Sequence, residues 1–216
     1  MRPTSPIRLV CLDIGGVLVR ICSGWAEACK IAKIDLEPDV YDAALFKEIV
    51  EASHRLEHGH IDEAAFDREV AELTGFTPAQ VGSAAEAWLV GVYDGAVELI
   101  DWLNARPGIQ VGCLSNTTTR HWRMMTTPAG PVYAGLDRLR HQFVSYRIGH
   151  MKPAAEIYRY VERATGLRPE EIVFFDDSPA NVEGARACGW HGELIDPKAD
   201  PPGQVRAALR RFGVRD

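Results

Sequence analysis

At 216 residues the chain is long enough for one substantial core with a small insertion and too short for two full-sized domains. Hydrophobic residues at 46% and charged residues at 25% exclude disordered, collagen-like and membrane compositions. A formal net charge of -6 speaks against a nucleic-acid partner, because phosphate-backbone binding normally comes with a basic surface.

The polar, proline-containing start, Met1 to Pro6, carries no signal for export or insertion, and no later apolar run is long enough to span a bilayer. A cytoplasmic location with no membrane partner is expected. Five cysteines, an odd number without a C-x-x-C pair, suggest neither a disulfide framework nor a zinc site. Cys11 and Cys113 fall inside apolar strand-like runs; Cys22, Cys29 and Cys188 read as ordinary helix or loop residues.

The first apolar run, Ile7 to Leu12, stops at Asp13 and is followed by Gly15-Gly16, the pattern of a buried strand ending in a turn. The stretch from about Arg20 to Gly91 offers helices without convincing strands. Its apolar stripes are Leu45, Ile49, Ala52 and Leu56, then Phe66, Val70 and Leu73, then Val81, Ala85, Trp88 and Val92. Thr77-Pro78-Ala79-Gln80 has the form of a capping box. A second strand, Ile109 to Leu114, runs into Ser115-Asn116, and a third, Ile172 to Phe175, runs into Asp176-Asp177. Helical patterns precede both, Lys152-Pro153 and Ser178-Pro179 each read as a helix start, and Asp200 to Gly203 reads as a turn before a terminal helix. Strands alternating with helices predict a parallel sheet covered on both faces, with ligands at the carboxyl ends of the strands.

That arrangement brings Asp13, Ser115, Lys152, Asp176 and Asp177 to one rim. Two carboxylates about 4 Å apart repel by roughly 4 kcal/mol at an effective dielectric of 20, so three at one edge need countercharge. Lys152 supplies one positive charge and a divalent cation the remainder. Oxygen donors without cysteine or histidine favour a hard ion, and Mg2+ takes a few protein oxygens while leaving sites for water and phosphate. The glycines after Asp13 let backbone amides approach a phosphoryl group, and the Ser115 hydroxyl can donate to it. The implied chemistry is attack of Asp13 on phosphorus, giving an aspartyl-phosphate that water hydrolyses.

Asp13-Ile14-Gly15-Gly16-Val17-Leu18, Leu114-Ser115-Asn116-Thr117, Met151-Lys152-Pro153 and Phe175-Asp176-Asp177-Ser178-Pro179-Ala180-Asn181 resemble, in order, the four signature motifs of the haloacid dehalogenase-like hydrolases. Arg55 to Ile61 and Phe174 to Ala185 are similar to the bacterial alpha-glucose-1-phosphatase-like branch. The resemblance implies an α/β fold: a Rossmann-like three-layer core with a parallel sheet, residues 1–19 and 92–216, interrupted by a helical cap, residues 20–91. It also implies that Asp13, Ser115 and Lys152 are catalytic and that Gly16 and Asn116 join Ser115 and Lys152 around the phosphoryl group. Mg2+ is then held by Asp13, the Gly15 carbonyl and Asp177, with Asp176 beside it. The expected activity is hydrolysis of a small-molecule phosphate ester, a sugar phosphate favoured.

One position departs from that pattern. Most phosphatases of the superfamily carry a second aspartate two residues after the nucleophile, which protonates the leaving group; here the position is Gly15. General acid-base catalysis is worth about 10²- to 10⁴-fold, roughly 3 to 5 kcal/mol of barrier. The resembled branch often lacks this acid and includes members regarded as active, so esters with good leaving groups are expected to be favoured. His54, His58 and His60 read as surface or cap-lining residues rather than a metal cluster, one of them a candidate substitute for the acid. His121 and His150 flank two of the motifs, and Arg147 either touches substrate or pairs with a surface acid. The rival readings are a non-catalytic phosphate-binding regulatory protein, motivated by Gly15, and a haloacid dehalogenase, which has little use for the Asp176-Asp177 pair.

Overall fold

The computed structural model describes residues 6–35, 43–130 and 132–214; the polar start Met1 to Ser5 lies outside the described residues. Five strands, β1 (Leu9–Leu12), β4 (Gln110–Ser115), β5 (His141–Val144), β6 (Ile172–Asp176) and β7 (His191–Leu194), form a sheet in the order β5-β4-β1-β6-β7. Every pairing within it is parallel. β1 is central and apolar throughout because both of its faces are covered. The two-residue period of the strand sends Val10 and Leu12 to one face, where they pack with Leu99, Ile100 and Leu103 of α5 (Ala96–Asn104). Leu9 and Cys11 go to the other face, against Ile157, Tyr158 and Val161 of α8 (Ala155–Thr165) and Ala185 of α9 (Pro179–Ala187). Helix, sheet and helix make three layers.

Between β1 and β4 the chain leaves the sheet through β2 (Val19–Ile21) and returns through β3 (Leu89–Val92), which pair antiparallel as a separate ribbon. Beyond the ribbon stand α1 (Trp25–Ile31), α2 (Ala43–Glu57), α3 (Glu63–Thr74) and α4 (Pro78–Ala87). These helices have a core of their own, built from Trp25, Ile49, Leu56, Phe66, Val70 and Val81 among others. The capping box at Thr77 is present in full: its hydroxyl accepts from the Gln80 N–H, and the Gln80 side chain accepts from the Thr77 N–H.

Four local readings of the sequence need correcting. The helical stretch is bounded by strands, the β2–β3 ribbon, which are too short to show a period and pair across some seventy residues. The third apolar stripe is composite, since α4 ends at Ala87 and Val92 belongs to β3. The helix expected at Lys152-Pro153 starts at Ala155, because the Lys152 main chain is held elsewhere by Asn116. Asp200 is an N-cap, its carboxylate accepting from the Gly203 N–H, so Pro201 and Pro202 already belong to α10 (Pro201–Leu209). The cysteines among the described residues are free and buried. No helix among the described residues is long and apolar enough to cross a membrane.

Candidate active site

The register of the central strands sets the site. Leu12 stands opposite Cys113 of β4 and Phe175 of β6, so the next residue, Asp13, and the strand-ending residues Ser115 and Asp176 emerge together at the carboxyl edge. Lys152 arrives on the loop after α7 (Ser145–Ile148). The Asn116 side chain fixes that loop, accepting from the Lys152 N–H at 2.9 Å and donating to the Lys152 carbonyl at 3.0 Å. Ser145, just beyond β5, bonds both the N–H and the carbonyl of Thr117, pinning the turn after β4.

Lys152 Nζ lies 2.8 Å from Asp13 Oδ1 and 2.7 Å from Asp176 Oδ2, with its side chain 1% exposed. Asp13 Oδ1 also accepts from the Ile14 N–H at 2.7 Å, so two donors fix the orientation of that carboxylate. Asp176 is fully buried and accepts from Lys152, the Ser178 N–H and both-oxygen contacts of the Asn181 amide. Its hydrogen-bonding capacity is spent, and its part is to hold Lys152. Asp177, next in the chain, is only partly buried. Gly16 makes room for it: with φ +71, a Cβ there would collide with the Asp177 carboxylate. The Gly16 N–H donates to the Val19 carbonyl, so what Gly16 gives the site is space.

Burial raises the Asp13 carboxyl to about 7, with Lys152 opposing and Asp176 adding to the rise. Burial acts to lower the Lys152 pKa, but the charges of Asp13 and Asp176 outweigh it and keep the ammonium above the usual lysine range. The Asp177 carboxyl is pushed up by burial and by Asp176. Oxygens of Asp13, Asp176 and Asp177 lie within 4.8 Å of one another, and one ammonium cannot neutralise three carboxylates. An all-oxygen donor set with surplus negative charge fits a hard divalent cation. Asp13 and Asp177 suit direct contact, together with the Gly15 carbonyl, which accepts no hydrogen bond from the described residues. Asp176 is close enough for direct contact, but its existing bonds leave it a supporting charge.

A cavity of about 330 Å³ opens beside this edge, between the sheet and the inserted helices. Gly15, Ser115 and Asn116 form its floor, and much of the remaining wall is hydrocarbon from Trp25, Phe46, Ile49, Val50, Trp88 and Met125. Several polar wall residues are bonded within the protein: Arg120 to Asp67, the His121 Nε2–H to the Ala85 carbonyl, and Ser53 to the Ile49 carbonyl. Burial lowers the His121 pKa, which keeps the ring neutral. His58 donates from Nδ1 to the His54 carbonyl and stacks on His60 at 5.1 Å; of these three only His54 reaches the cavity wall. His150 is exposed, and Arg147 lies over the Trp122 and Tyr146 rings at 5.3 Å. Sequence reasoning gave no role to Glu57, whose carboxylate faces the same cavity, nor to Trp25, whose buried Nε1–H has no partner among the described residues. Both sit in a stretch where a stripe of apolar residues signals packing and nothing marks which polar neighbour points inward.

A doubly covered parallel sheet with carboxylates and a lysine at its carboxyl edge, interrupted by a helical insertion, defines a Rossmann-like α/β protein with an acidic site at the strand ends. The family model for haloacid dehalogenase-like hydrolases matches residues 7–189, and the chain belongs to that family. D-ribitol-5-phosphate phosphatase of Bacteroides thetaiotaomicron is 27% identical over 203 residues, covering 89% of this chain and 92% of that protein. Hexitol phosphatase A of Escherichia coli is 28% identical over 133 residues, covering 59% of this chain and 56% of that protein. Among solved structures, a haloacid dehalogenase family enzyme of Bacteroides thetaiotaomicron superposes with a TM-score of 0.77 at 25% identity, over 94% of this chain and 100% of that one. The same enzyme crystallised with magnesium and inorganic phosphate gives a TM-score of 0.70 at 26% identity, over 90% and 96%. L-2-haloacid dehalogenase of Xanthobacter autotrophicus shares the fold at a TM-score of 0.61 and 18% identity, over 94% and 83%.

Proposed function

We propose that the protein is a Mg2+-dependent phosphatase of small phosphorylated metabolites, working through an aspartyl-phosphate on Asp13. The observation that carries this reading is the Lys152 ammonium bridging Asp13 and Asp176 at the sheet edge, with the Asp177 carboxylate beside it. Asp13, with Oδ1 held by Lys152 and the Ile14 N–H, presents its second oxygen to phosphorus. Lys152 neutralises the oxygens that gather charge in the transfer, the Ser115 hydroxyl donates to another, and the Asn116 main chain lies alongside. Asp13, Asp177 and the Gly15 carbonyl would hold Mg2+, with Asp176 adding charge behind them, and the ion would supply positive charge that offsets the repulsion between Asp13 and an incoming phosphoryl group. Residues 20–91 act as the cap that walls the leaving group from water, and residues 1–19 and 92–216 carry the chemistry. The magnesium and phosphate found in the Bacteroides enzyme support the metal and the substrate class.

For the leaving group, a sugar or polyol is favoured by the motif likeness and by the substrates named for two relatives. A second reading has its own observation. The wall is largely hydrocarbon and offers few free polar groups, the Glu57 carboxylate among them, so a mostly apolar alcohol leaves fewer hydroxyls unsatisfied than a polyol does. Phosphate release across sugar, polyol, alkyl and aryl monoesters separates the two, and the same screen with Asp13→Asn and with a chelator tests the reaction itself. Activity surviving either treatment contradicts the mechanism; absence of turnover with every ester favours the phosphate-binding regulator. Release of halide from a 2-haloacid favours the dehalogenase.

A further inference from the structure

The phosphatase reading leaves the leaving-group oxygen without a proton donor, since Gly15 has no side chain. We propose that Glu57 supplies this proton from the cap side of the cavity and afterwards takes one from the attacking water. The inference rests on the phosphatase reading.

Glu57 is the last residue of α2, and the fold holds that end against the sheet domain. Two residues on, Gly59 has φ +74 and sits so close to the Tyr146 carbonyl that a Cβ there would lie 2.5 Å from its oxygen. Tyr146 belongs to α7, immediately before the loop that carries Lys152. The contact delivers Glu57 to the cavity whose floor is Gly15 and Ser115. The carboxyl has no hydrogen bond and no ion pair among the described residues, although it is enclosed on most sides. A carboxyl left unpaired in such a place is unfavourable for folding, as a proton-transfer group often is.

The charged and titratable groups around it do not take the role themselves. Lys152 is committed to Asp13 and Asp176, Arg120 of α6 (Thr119–Thr126) to Asp67 and Glu63, and His121 to the Ala85 carbonyl. Asp13 and Asp177 belong to the sheet edge beside the cavity and are not among the residues that line it. His54 lies one turn back on α2, exposed at the wall, and His58 and His60 do not line the cavity. Burial lifts the Glu57 carboxyl to about 7 against the opposing pull of Lys152, so near neutral pH both of its protonation states are populated.

The proton balance closes. As Asp13 bonds to phosphorus and the ester P–O bond breaks, the Glu57 proton passes to the departing alkoxide. Water then bonds to phosphorus, the Asp13–phosphorus bond breaks, and the water proton returns Glu57 to its acid form.

The test is kcat/KM, which reports the phosphoryl-transfer half of the cycle, for native chain, Glu57→Gln and Asp13→Asn on alkyl, phenyl and dinitrophenyl phosphates. Glu57→Gln is expected to lose about 10²- to 10³-fold on the alkyl ester and about threefold or less on the dinitrophenyl ester, whose leaving group needs no proton. The native chain shows a shallow dependence on leaving-group acidity, the variant a steep one. The alkaline fall in rate with the alkyl ester disappears in the variant. Equal losses on all three esters, or no loss on any, overturn the proposal while leaving the phosphatase reading intact. Native chain as inactive as Asp13→Asn overturns both.

Discussion

Single residues in this molecule carry charges that only their neighbours make tolerable, and Lys152 is the clearest case. Removing a buried ion whose partners remain costs about 3 to 5 kcal/mol. Lys152→Met is therefore expected to destabilise the fold by about that amount, because Asp13 and Asp176 are left facing each other; urea unfolding measures it. An unchanged midpoint contradicts the bridging role. Glu57 works in the opposite sense. Its folded value of about 7 lies above the ordinary 4.5, so between those values the native state keeps a proton that the unfolded chain releases. Stability from this group is present at low pH and lost as pH rises through 7, and Glu57→Gln escapes the loss. In chelator, the variant is expected to be about 2 to 3 kcal/mol more stable than the native chain at pH 8 and equal to it near pH 4. A gain that does not change with pH points to packing instead. Asp13, Ser115, Asp176 and Asp177 were legible in the sequence because each interrupts an apolar run with a polar side chain at a strand end. Glu57 was not, since a glutamate at the end of an amphipathic helix is ordinarily solvated, and only the docking of Gly59 on Tyr146 turns it inward.

At the scale of elements, what was legible followed from apolar character, since β1 is no longer than β5 or β7. β1, β4 and β6 are apolar and buried on both faces, and their runs stand out. β5 and β7 flank the sheet with mixed sequences, His141–Val144 and His191–Leu194, and went unread, as did the β2–β3 ribbon, whose pairing is long-range. The helices of the insertion were visible as stripes, but their tie to the sheet domain was not. One such tie is Arg120 of α6, 8% exposed, which meets Asp67 of α3 at 2.5 Å and Glu63 at 3.7 Å. A buried guanidinium deprived of its closest carboxylate is costly. Asp67→Ala is expected to lower stability by about 2 to 4 kcal/mol, the remaining Glu63 contact softening the loss, and to raise KM through looser seating of the insertion. Thermal unfolding and steady-state kinetics report both, and a shift in neither places the tie outside the energetics of closure. An additive double-mutant cycle between positions 67 and 120 says the same.

For the whole molecule, the two units divide the labour. The parallel sheet gathers the carboxylates, the lysine and the serine at one edge, and the inserted helices supply a wall that includes Glu57. The net charge of -6 goes with a sheet edge where one ammonium stands among three carboxylates, so attraction of an anionic ester depends on Lys152 and on the metal rather than on a basic surface. The central claim is that the phosphoryl group is transferred twice, first to Asp13 and then to water. The stereochemical course at phosphorus tests it most directly, using a phosphorothioate ester made chiral by sulfur and two oxygen isotopes and turned over in water carrying the third isotope. Two in-line transfers give net retention of configuration, which is the expected result; net inversion means that water attacks the ester in one step and that Asp13 is not the nucleophile.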